Sequence, residues 1–450
     1  MLQIQSSFWQ NLSTTNVIIF TAPFVILLLL VASLPLAAGR WWESNKNKAM
    51  LCLTLGVPVA LFFAINDTHK LLHTFLEYFA FISLLGALYV ISGGIYLTGK
   101  FDGTPTTNSA ILAIGAILSN FIGTTGSAML FIRPIIRANQ RRKHKIHTII
   151  FFIFLVCNIG GSLTPLADPP LFLGFLKGVP FDWTLKLFPV WLSLVAALLV
   201  IYFLIDSRLF HKEKKVTQET LVVSALDDPY NWSIKGKINI GLLFCVILIM
   251  AASGYLLYPN IDVKNRDTTC ALFQAISMIL VAVLSYKITP KIIHKNNDFT
   301  FHPIIEVAVI FAGIFATMIP PLLILEARAR DLGINSASQY FWATGILSSF
   351  LDNAPTYLTF TSLASGLCNT STDQLSQLAF HETGRHLLFA ISTGAVFMGA
   401  NTYIGNGPNF MVKSIAEKSG IKMPSFFGYM LWSCTVLIPI FIILTFVYFK

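Results

Sequence analysis

Four stretches of polar and helix-breaking residues interrupt long apolar runs, and they are the parts of the chain best suited to chemistry. They cover residues 119–127, 158–170, 348–356 and 399–409. Gly and Pro open a helix and free its carbonyl and amide groups. Freed carbonyls, with Ser, Thr and Asn oxygens, suit a small cation such as Na⁺, whereas the N-termini of half-helices favour an anion. One arrangement could therefore hold a cation, an anion or both.

Asp168 and Asp352 are the carboxylates inside these stretches. A carboxylate at bilayer depth is costly and indicates a functional site. It can bind a proton or Na⁺ in turn but not both at once, which is what a proton-coupled exchanger requires. Asp also favours the N-cap of a helix, so a purely structural role remains open for each residue.

Composition places these segments in a membrane. Of the 450 residues, 55% are hydrophobic and 12% charged, whereas soluble domains carry about 25% charged residues. This excludes a soluble enzyme, a disordered protein and a disulfide-rich secreted domain. The six scattered cysteines indicate neither a disulfide framework nor a metal site. The net charge of +10 is typical of basic cytoplasmic loops, so we expect the lipid bilayer, and no nucleic acid, as a partner.

The pattern predicts an all-α polytopic membrane protein. Apolar runs long enough to cross a bilayer predict about ten full transmembrane helices. Two further stretches, near 108–132 and 338–367, are apolar but broken in the middle, and we interpret them as re-entrant hairpins. The ten spans are predicted at 17–39, 48–65, 73–98, 148–168, 184–206, 237–257, 270–287, 303–325, 384–412 and 425–448.

The basic residues predict the orientation. No Lys or Arg precedes Arg40, so the first span lacks the basic start of a signal peptide. The first basic residues follow that span, which places the N-terminus outside. With ten passes the C-terminus is also outside, and most of the 31 basic residues lie inside. We predict a multi-pass protein of the bacterial inner (cytoplasmic) membrane.

The chain is predicted to contain an inverted repeat, residues 1–206 and 237–450, joined by a cytoplasmic linker at 207–236. His73-x-x-x-Glu77 corresponds to His302-x-x-x-Glu306, and 118–121 corresponds to 347–350 at the same offset. Residues 160–170 correspond to 399–409 at a slightly longer offset. Each half then has five spans, one hairpin and one unwound helix. Because five is odd, the second half enters the membrane from the opposite side, as in many secondary transporters.

At the broken segments the chain resembles the ion transporter superfamily. This group includes NhaD-type sodium/proton antiporters, arsenite pump membrane subunits, the pigmentation P protein, and citrate and dicarboxylate/sodium carriers. Residues 352–355, Asp-Asn-Ala-Pro, resemble the Asp-Asn-Ile-Pro of the NhaD and P-protein branches, and 160–170 resemble their Gly-rich run. The dicarboxylate branch has Ser-Asn-Thr at both hairpin tips, whereas this chain has Phe121 in the first tip and Ser349-Phe350 in the second.

The resemblance implies a scaffold domain and a mobile transport domain, often in a homodimer, with elevator-like motion. It implies Na⁺ ligation at the hairpin tips, for which Asp352, Asn353, Ser119 and Asn120 are the candidate metal ligands. The polar side chains of the broken segments form the candidate substrate- and ion-binding set. They are Ser119, Asn120, Thr124, Thr125, Asn158, Thr164, Asp168, Ser348, Asp352, Asn353, Thr356, Asn401, Thr402 and Asn406.

These features predict a secondary active transporter, with Na⁺/H⁺ antiport as the favoured activity. The alternative is a cation-coupled carrier of citrate or another carboxylate. In that case Asn120, Thr124, Asn353 and Thr356 would hold carboxylates, with Na⁺ neutralising them. The sequence has no Walker loop, His-Glu-x-x-His or Gly-x-Ser-x-Gly motif, so we expect no enzymatic activity. We also expect no cofactor beyond Na⁺ and H⁺ as coupling or transported ions.

Overall fold

The computed structural model describes residues 8–99, 102–217, 233–257 and 266–449. Within these ranges the fold is α-helical apart from one antiparallel pair of short strands, β1 (Tyr96–Thr98) and β2 (Ser233–Lys235). Residues 218–232 of the predicted cytoplasmic linker lie outside the described residues. The last described helix before that gap continues to Thr217, so the start of the predicted linker is helical.

After residue 13, the described part of the first half contains eight α-helices, and π-helical and 3₁₀ turns extend two of them. They are α1 (Thr14–Ala37), α2 (Gly39–Trp42), α3 (Asn45–Asn66), α4 (Thr68–Gly93), α5 (Pro105–Ala138), α6 (Ile146–Phe154, then a π turn, Leu155–Ile159), α7 (Pro169–Leu176) and α8 (Phe188–Thr217, after a 3₁₀ turn, Phe181–Leu187).

The second half contains eleven helices within the described residues. They are α9 (Ile238–Ala252, then a π turn, Ser253–Leu257), α10 (Arg266–Ile288), α11 (Lys291–Asn296), α12 (His302–Thr317), α13 (Ile319–Ala327, then a 3₁₀ turn, Ala329–Leu332), α14 (Ala337–Phe350), α15 (Asn353–Cys368), α16 (Leu375–Phe380), α17 (Gly384–Met398, then a 3₁₀ turn, Gly399–Asn401), α18 (Gly407–Lys418) and α19 (Phe426–Tyr448).

Helix α5 is a hairpin whose two arms meet at Gly123. The backbone there has φ 75° and ψ 156°, a combination that is essentially restricted to glycine. Ser127 Oγ of the second arm donates to the Gly115 carbonyl of the first arm at 2.8 Å. At the open end, Asn139 Nδ2 donates to Asn108 Oδ1 at 2.7 Å. The chain therefore enters and leaves on the same side.

A buried carboxylate anchors the open end of this hairpin. Asp206 of α8 has no exposed surface and accepts from Asn108 Nδ2 at 3.0 Å and from Arg142 Nη2 at 2.6 Å. Tyr202 of the same helix donates a further bond at 3.1 Å. Because these partners satisfy the carboxylate, the network fixes both ends of the hairpin against α8.

Helices α14 and α15 form a second hairpin. The chain turns at Leu351 and Asp352, which have extended backbone angles between the two arms. The rings of Tyr340 and Phe360, one on each arm, lie 6.3 Å apart. At the open end, Arg330 Nη2 donates to Asn369 Oδ1 at 3.2 Å.

Two further helices are interrupted rather than reversed. Helix α6 ends with its π turn at Ile159, and α7 begins at Pro169 after irregular backbone. Helix α17 ends at Met398, and α18 begins at Gly407 after a 3₁₀ turn and five irregular residues. The side chains from Ile149 to Cys157 are at most 1% exposed, so α6 and its π turn lie at the centre of the fold.

The helices confirm the predicted all-α polytopic membrane class. In the described part of the chain, eight helices are long and apolar enough to cross a membrane, or nine if α12 and α13, bent by 43°, count as one span. One of the eight, α5, reverses at Gly123 instead of crossing. The predicted spans at 148–168 and 384–412 are the two interrupted helices, which are too short to qualify as single helices.

Gly123→Ala should destabilise the first hairpin. An added Cβ would lie 3.3 Å from the Leu166 carbonyl oxygen, and the backbone strain alone costs about 1–3 kcal/mol. We expect a lower midpoint of thermal unfolding for the purified protein in detergent.

Gly241→Ala is the matched control, because its Cβ would meet nothing within 4 Å inside α9. Equal unfolding midpoints for the two variants would contradict the assignment of strain to Gly123.

Candidate functional site

The carboxylate of Asp168 joins the four broken segments. Its Oδ1 accepts from Thr124 Oγ1 at the first hairpin tip at 3.0 Å and from Asn406 Nδ2 at 3.1 Å. Its Oδ2 accepts from Asn353 Nδ2 at the second hairpin tip. Asp168 is 2% exposed, so these bonds replace the water that an ionised carboxylate would otherwise require.

Asp168 and Asn406 occupy matching positions in the two halves. Each is the N-cap of the helix that follows a break, with φ and ψ of −148° and 145° for Asp168 and −154° and 142° for Asn406. In each case Pro lies in the first two helical positions, where its missing N–H costs nothing. The predicted correspondence of residues 160–170 with 399–409 pairs Asp168 with Gly407 instead, one residue further along the chain.

The first hairpin tip is fixed to the break between α6 and α7. Asn120 Oδ1 accepts from the backbone N–H groups of Ser162 and Leu163 at 3.1 and 2.8 Å. Thr164 Oγ1 donates to the Asn120 carbonyl, and Ser119 Oγ donates to the Val156 carbonyl at 2.8 Å. These three predicted site residues therefore satisfy freed backbone groups, as membrane depth requires.

The second hairpin tip is fixed in the same way to the break between α17 and α18. Ser348 Oγ donates to the Ala395 carbonyl at 2.6 Å, and Thr402 Oγ1 donates to the Ser349 carbonyl. Asn401 Nδ2 donates to Ser349 Oγ at 2.9 Å. Ser349 was absent from the predicted set, although it stands where the first half has Asn120.

Asn158 connects the two breaks directly. It lies in the π turn after α6, and its Nδ2 donates to Asn409 Oδ1 at 2.7 Å. Asn409 in turn donates to the carbonyls of Gly399 and Thr402, both at 2.9 Å. Asn409 lies outside the predicted set, although it closes the fourth broken stretch and its polar side chain could have been included on that ground.

Asp352 lies apart from the bonds around Asp168. It is the N-cap of α15, where its Oδ1 accepts from the Ala354 N–H at 3.1 Å. Thr356 Oγ1 donates to the backbone carbonyl of Asp352 at 2.9 Å. The capping role considered for Asp352 is thus present in the structure, and the second carboxylate oxygen remains available to a cavity.

That cavity, which we call the vestibule, has a volume of about 1160 Å³. Exposed Lys418 and Asp298 lie on its wall together with buried Asn406 and half-buried Asp352. The vestibule therefore leads from the protein surface to the broken segments. A smaller cavity of about 80 Å³ is lined by Thr124, Thr125 and Asp168, and Thr125 lines both.

Positive charge predominates on the vestibule wall. Its basic residues are Arg133, Arg137, Lys145 and Lys418, and its acidic residues are Asp298, Glu306 and Asp352. Lys48, outside the wall, forms an ion pair with Glu306 at 2.7 Å. Asp298 pairs with Arg133 Nη2 at 3.1 Å, while the buried Arg133 Nη1 has no partner among the described residues.

Three buried amide oxygens of the predicted set have no hydrogen-bond partner among the described residues: Asn158 Oδ1, Asn353 Oδ1 and Asn401 Oδ1. Within those residues no group of three or more His, Cys, Asp and Glu side chains could hold a metal ion. An ion here would therefore have to be held largely by neutral oxygens, which suits an alkali cation better than a transition metal.

Asp168→Asn should destabilise the protein. The new amide nitrogen would face one of the three donors whose hydrogen bonds Asp168 now accepts. Each buried polar group left unpaired lowers the free energy of unfolding by about 1–3 kcal/mol. We expect a lower midpoint of thermal unfolding in detergent.

Asp331→Asn, at an exposed acid of the 3₁₀ turn after α13, is the matched control. Unfolding of Asp168→Asn at the temperature of the unchanged protein would show that Asp168 does not join the four segments.

Comparison with known proteins gives one extensive match. Residues 13–449 match the model of a protein family described as "Putative citrate transport", whereas no curated protein matches the chain. The match confirms the predicted resemblance to the ion transporter superfamily and supports a general role in transport. Since it covers nearly the whole of the 450 residues, the chain belongs to this citrate-transporter-like family of membrane proteins.

Proposed function

We propose that the protein carries citrate or a related carboxylate across the membrane together with a cation. The observation that carries this proposal is the basic vestibule, which ends at helix N-termini of the broken segments. The family description points to the same substrate class. The sequence alone favours Na⁺/H⁺ exchange, with this substrate class as the alternative.

The charges on the wall favour an anionic substrate. Arg133 and Arg137 lie one helical turn apart on the second arm of α5, on the same face as Thr125, because residues four apart share a face of a helix. An anion entering the vestibule would pass these guanidinium groups before it reaches the hairpin tip. The N-terminus of α18 at Gly407 also lines the wall and carries positive partial charge.

Asp352 explains why a cation should accompany the carboxylate. It lines the same vestibule at the tip of the second hairpin, where its negative charge would repel a bound carboxylate. A cation held between the two would remove that repulsion. On the next residue, Asn353 Oδ1 has no hydrogen-bond partner among the described residues and offers a further oxygen ligand.

Na⁺/H⁺ exchange without an organic substrate is the less favoured function. It would require a carboxylate that binds Na⁺ and a proton in turn. Asp168 already accepts three bonds from neutral donors, which leaves Asp352 for that role. The vestibule is also much larger than a hydrated alkali ion needs, and its wall carries more positive than negative side chains.

Flux measurements in proteoliposomes test the proposal. We expect uptake of labelled citrate that depends on an inward gradient of Na⁺, Li⁺ or H⁺, and competition by other di- and tricarboxylates. An absence of carboxylate uptake, combined with proton flux that responds to added Na⁺, would overturn the proposal in favour of antiport.

Asp352→Asn should remove the coupling of uptake to the cation without lowering the stability of the protein. Asn is as good an N-cap as Asp, so the midpoint of thermal unfolding should stay near that of the unchanged protein. We expect uptake to lose its dependence on the driving cation because the negative ligand is gone.

Asp331→Asn again serves as the control, since it removes an exposed acid away from the vestibule. Cation-driven uptake by Asp352→Asn at the unchanged rate would remove Asp352 from the coupling site.

A further inference from the structure

A cluster of alternating charges lies at the end of α4 away from the vestibule. Lys70 Nζ contacts Asp373 Oδ1 and Oδ2 at 2.7 and 2.6 Å. Lys177 Nζ donates to Glu77 Oε1 at 2.8 Å and lies 3.6 Å from Asp373 Oδ1. We call these four residues, Lys70, Glu77, Lys177 and Asp373, the charge latch.

The charge latch connects two groups of elements. Lys70 and Glu77 belong to α4, whereas Lys177 is the C-cap of α7 and Asp373 lies in the loop after the second hairpin. The Leu375 N–H donates to the Lys177 carbonyl at 2.7 Å, so α7 and that loop are fixed to each other. Nearer the membrane centre the contact between α4 and α7 is apolar, with Phe81 and Phe172 stacked 6.2 Å apart.

The Glu77–Lys177 pair of the latch is largely removed from water, whereas the Lys70–Asp373 pair is partly exposed. Lys177 is 5% exposed and Glu77 is 7% exposed. Burial alone would raise the pKa of the Asp373 carboxyl, but the charges of Lys70 and Lys177 lower it below the ordinary value. Apolar residues of similar volume often stabilise a buried contact as well as an ion pair does. The stability of the contact between these elements therefore does not by itself explain why charged residues occupy it.

The latch and the vestibule lie towards opposite ends of one helix. Glu77 is in the latch, and Tyr89 of the same helix lines the vestibule; twelve residues of α-helix separate them by about 18 Å. The latch side therefore has a small cavity of about 290 Å³ bordered by the ion-paired Glu77, whereas the other side has the vestibule of about 1160 Å³. A transporter that exposes its site to each face in turn must exchange these two conditions.

We propose that the charge latch is the gate that holds this face closed while the vestibule is open, and that it separates when the vestibule closes. The proposal rests on transport by the protein, but it does not depend on which substrate is carried. An ion pair present in only one of two conformations shifts their ratio by its own free energy. Weakening the latch should therefore move the population away from the vestibule-open form.

Cysteine labelling in lipid nanodiscs tests this without any substrate. Ser414→Cys places a reporter on the vestibule wall, and Ser376→Cys places one in a cavity of about 290 Å³ beside Glu77. Both are made in a protein whose exposed Cys245 and Cys434 are replaced by Ala. The rate at which a membrane-impermeant maleimide labels each cysteine reports how accessible that face of the protein is to water.

The test variant combines Glu77→Gln with Lys177→Gln. It removes both charges of the buried pair, so that neither charge is left buried without the other. We expect labelling at Ser376→Cys to rise and labelling at Ser414→Cys to fall. The ratio of the two labelling rates should change by about fivefold, which is the effect on a two-state equilibrium of an ion pair at the strong end of the usual range. Lys70→Gln, which frees one side of Asp373, should act in the same direction.

Lys186→Gln is the matched control. It removes an exposed cation that lies over the Trp183 ring and is not part of the latch, so both rates should stay unchanged. Unchanged rates in the latch variants would overturn the proposal. A rise at both reporters would also overturn it, because that pattern indicates general loosening rather than exchange between two conformations. Failure of citrate uptake, in contrast, would bear only on the substrate.

Discussion

The carboxylate of Asp168 is the interaction on which the centre of this protein depends. Backbone that leaves the helix at membrane depth must find its hydrogen bonds within the protein, and four such breaks meet here. Thr124, Asn353 and Asn406 each bring a different broken segment to Asp168. The two oxygens of a carboxyl group offer about four acceptor sites, so this one side chain can hold two hairpins and two interrupted helices in one site.

Around that centre, polar side chains of the broken segments divide into two groups by what they contact. Ser119, Asn120 and Ser348 bind freed backbone groups of the neighbouring break, and they keep the irregular chain in place. Thr125 and Asp352 line the vestibule instead. Substrate and cation would therefore meet a small number of side chains, mounted on a frame that other polar residues hold rigid.

The sequence predicted the broken segments because each of them combines several Gly, Pro, Ser or Asn residues. Single prolines such as Pro58 and Pro439 stay inside continuous helices. The sequence could not predict which polar groups would pair. Asp168 was aligned with Gly407, but the structure places Asn406 in the equivalent cap, a shift of one residue that short motifs cannot resolve. Ser349 and Asn409 were missed because their roles come from carbonyls brought near by folding. The ion pair between Glu77 and Lys177 joins residues 100 positions apart, a distance over which sequence pattern carries no information about contact.

The donors to Asp168 also bear on how the protein is made. Thr124 precedes Asp168 by 44 residues, whereas Asn353 and Asn406 follow it by 185 and 238 residues. During synthesis the first half thus reaches the bilayer with a carboxylate that has only one of its three partners, and exposing such a group to lipid is costly. The newly inserted half must keep Asp168 hydrated, protonated or shielded by the insertion machinery until the last broken helix arrives. Biogenesis would then end with completion of the site, and a chain truncated before Asn406 would be a natural target for quality-control proteolysis.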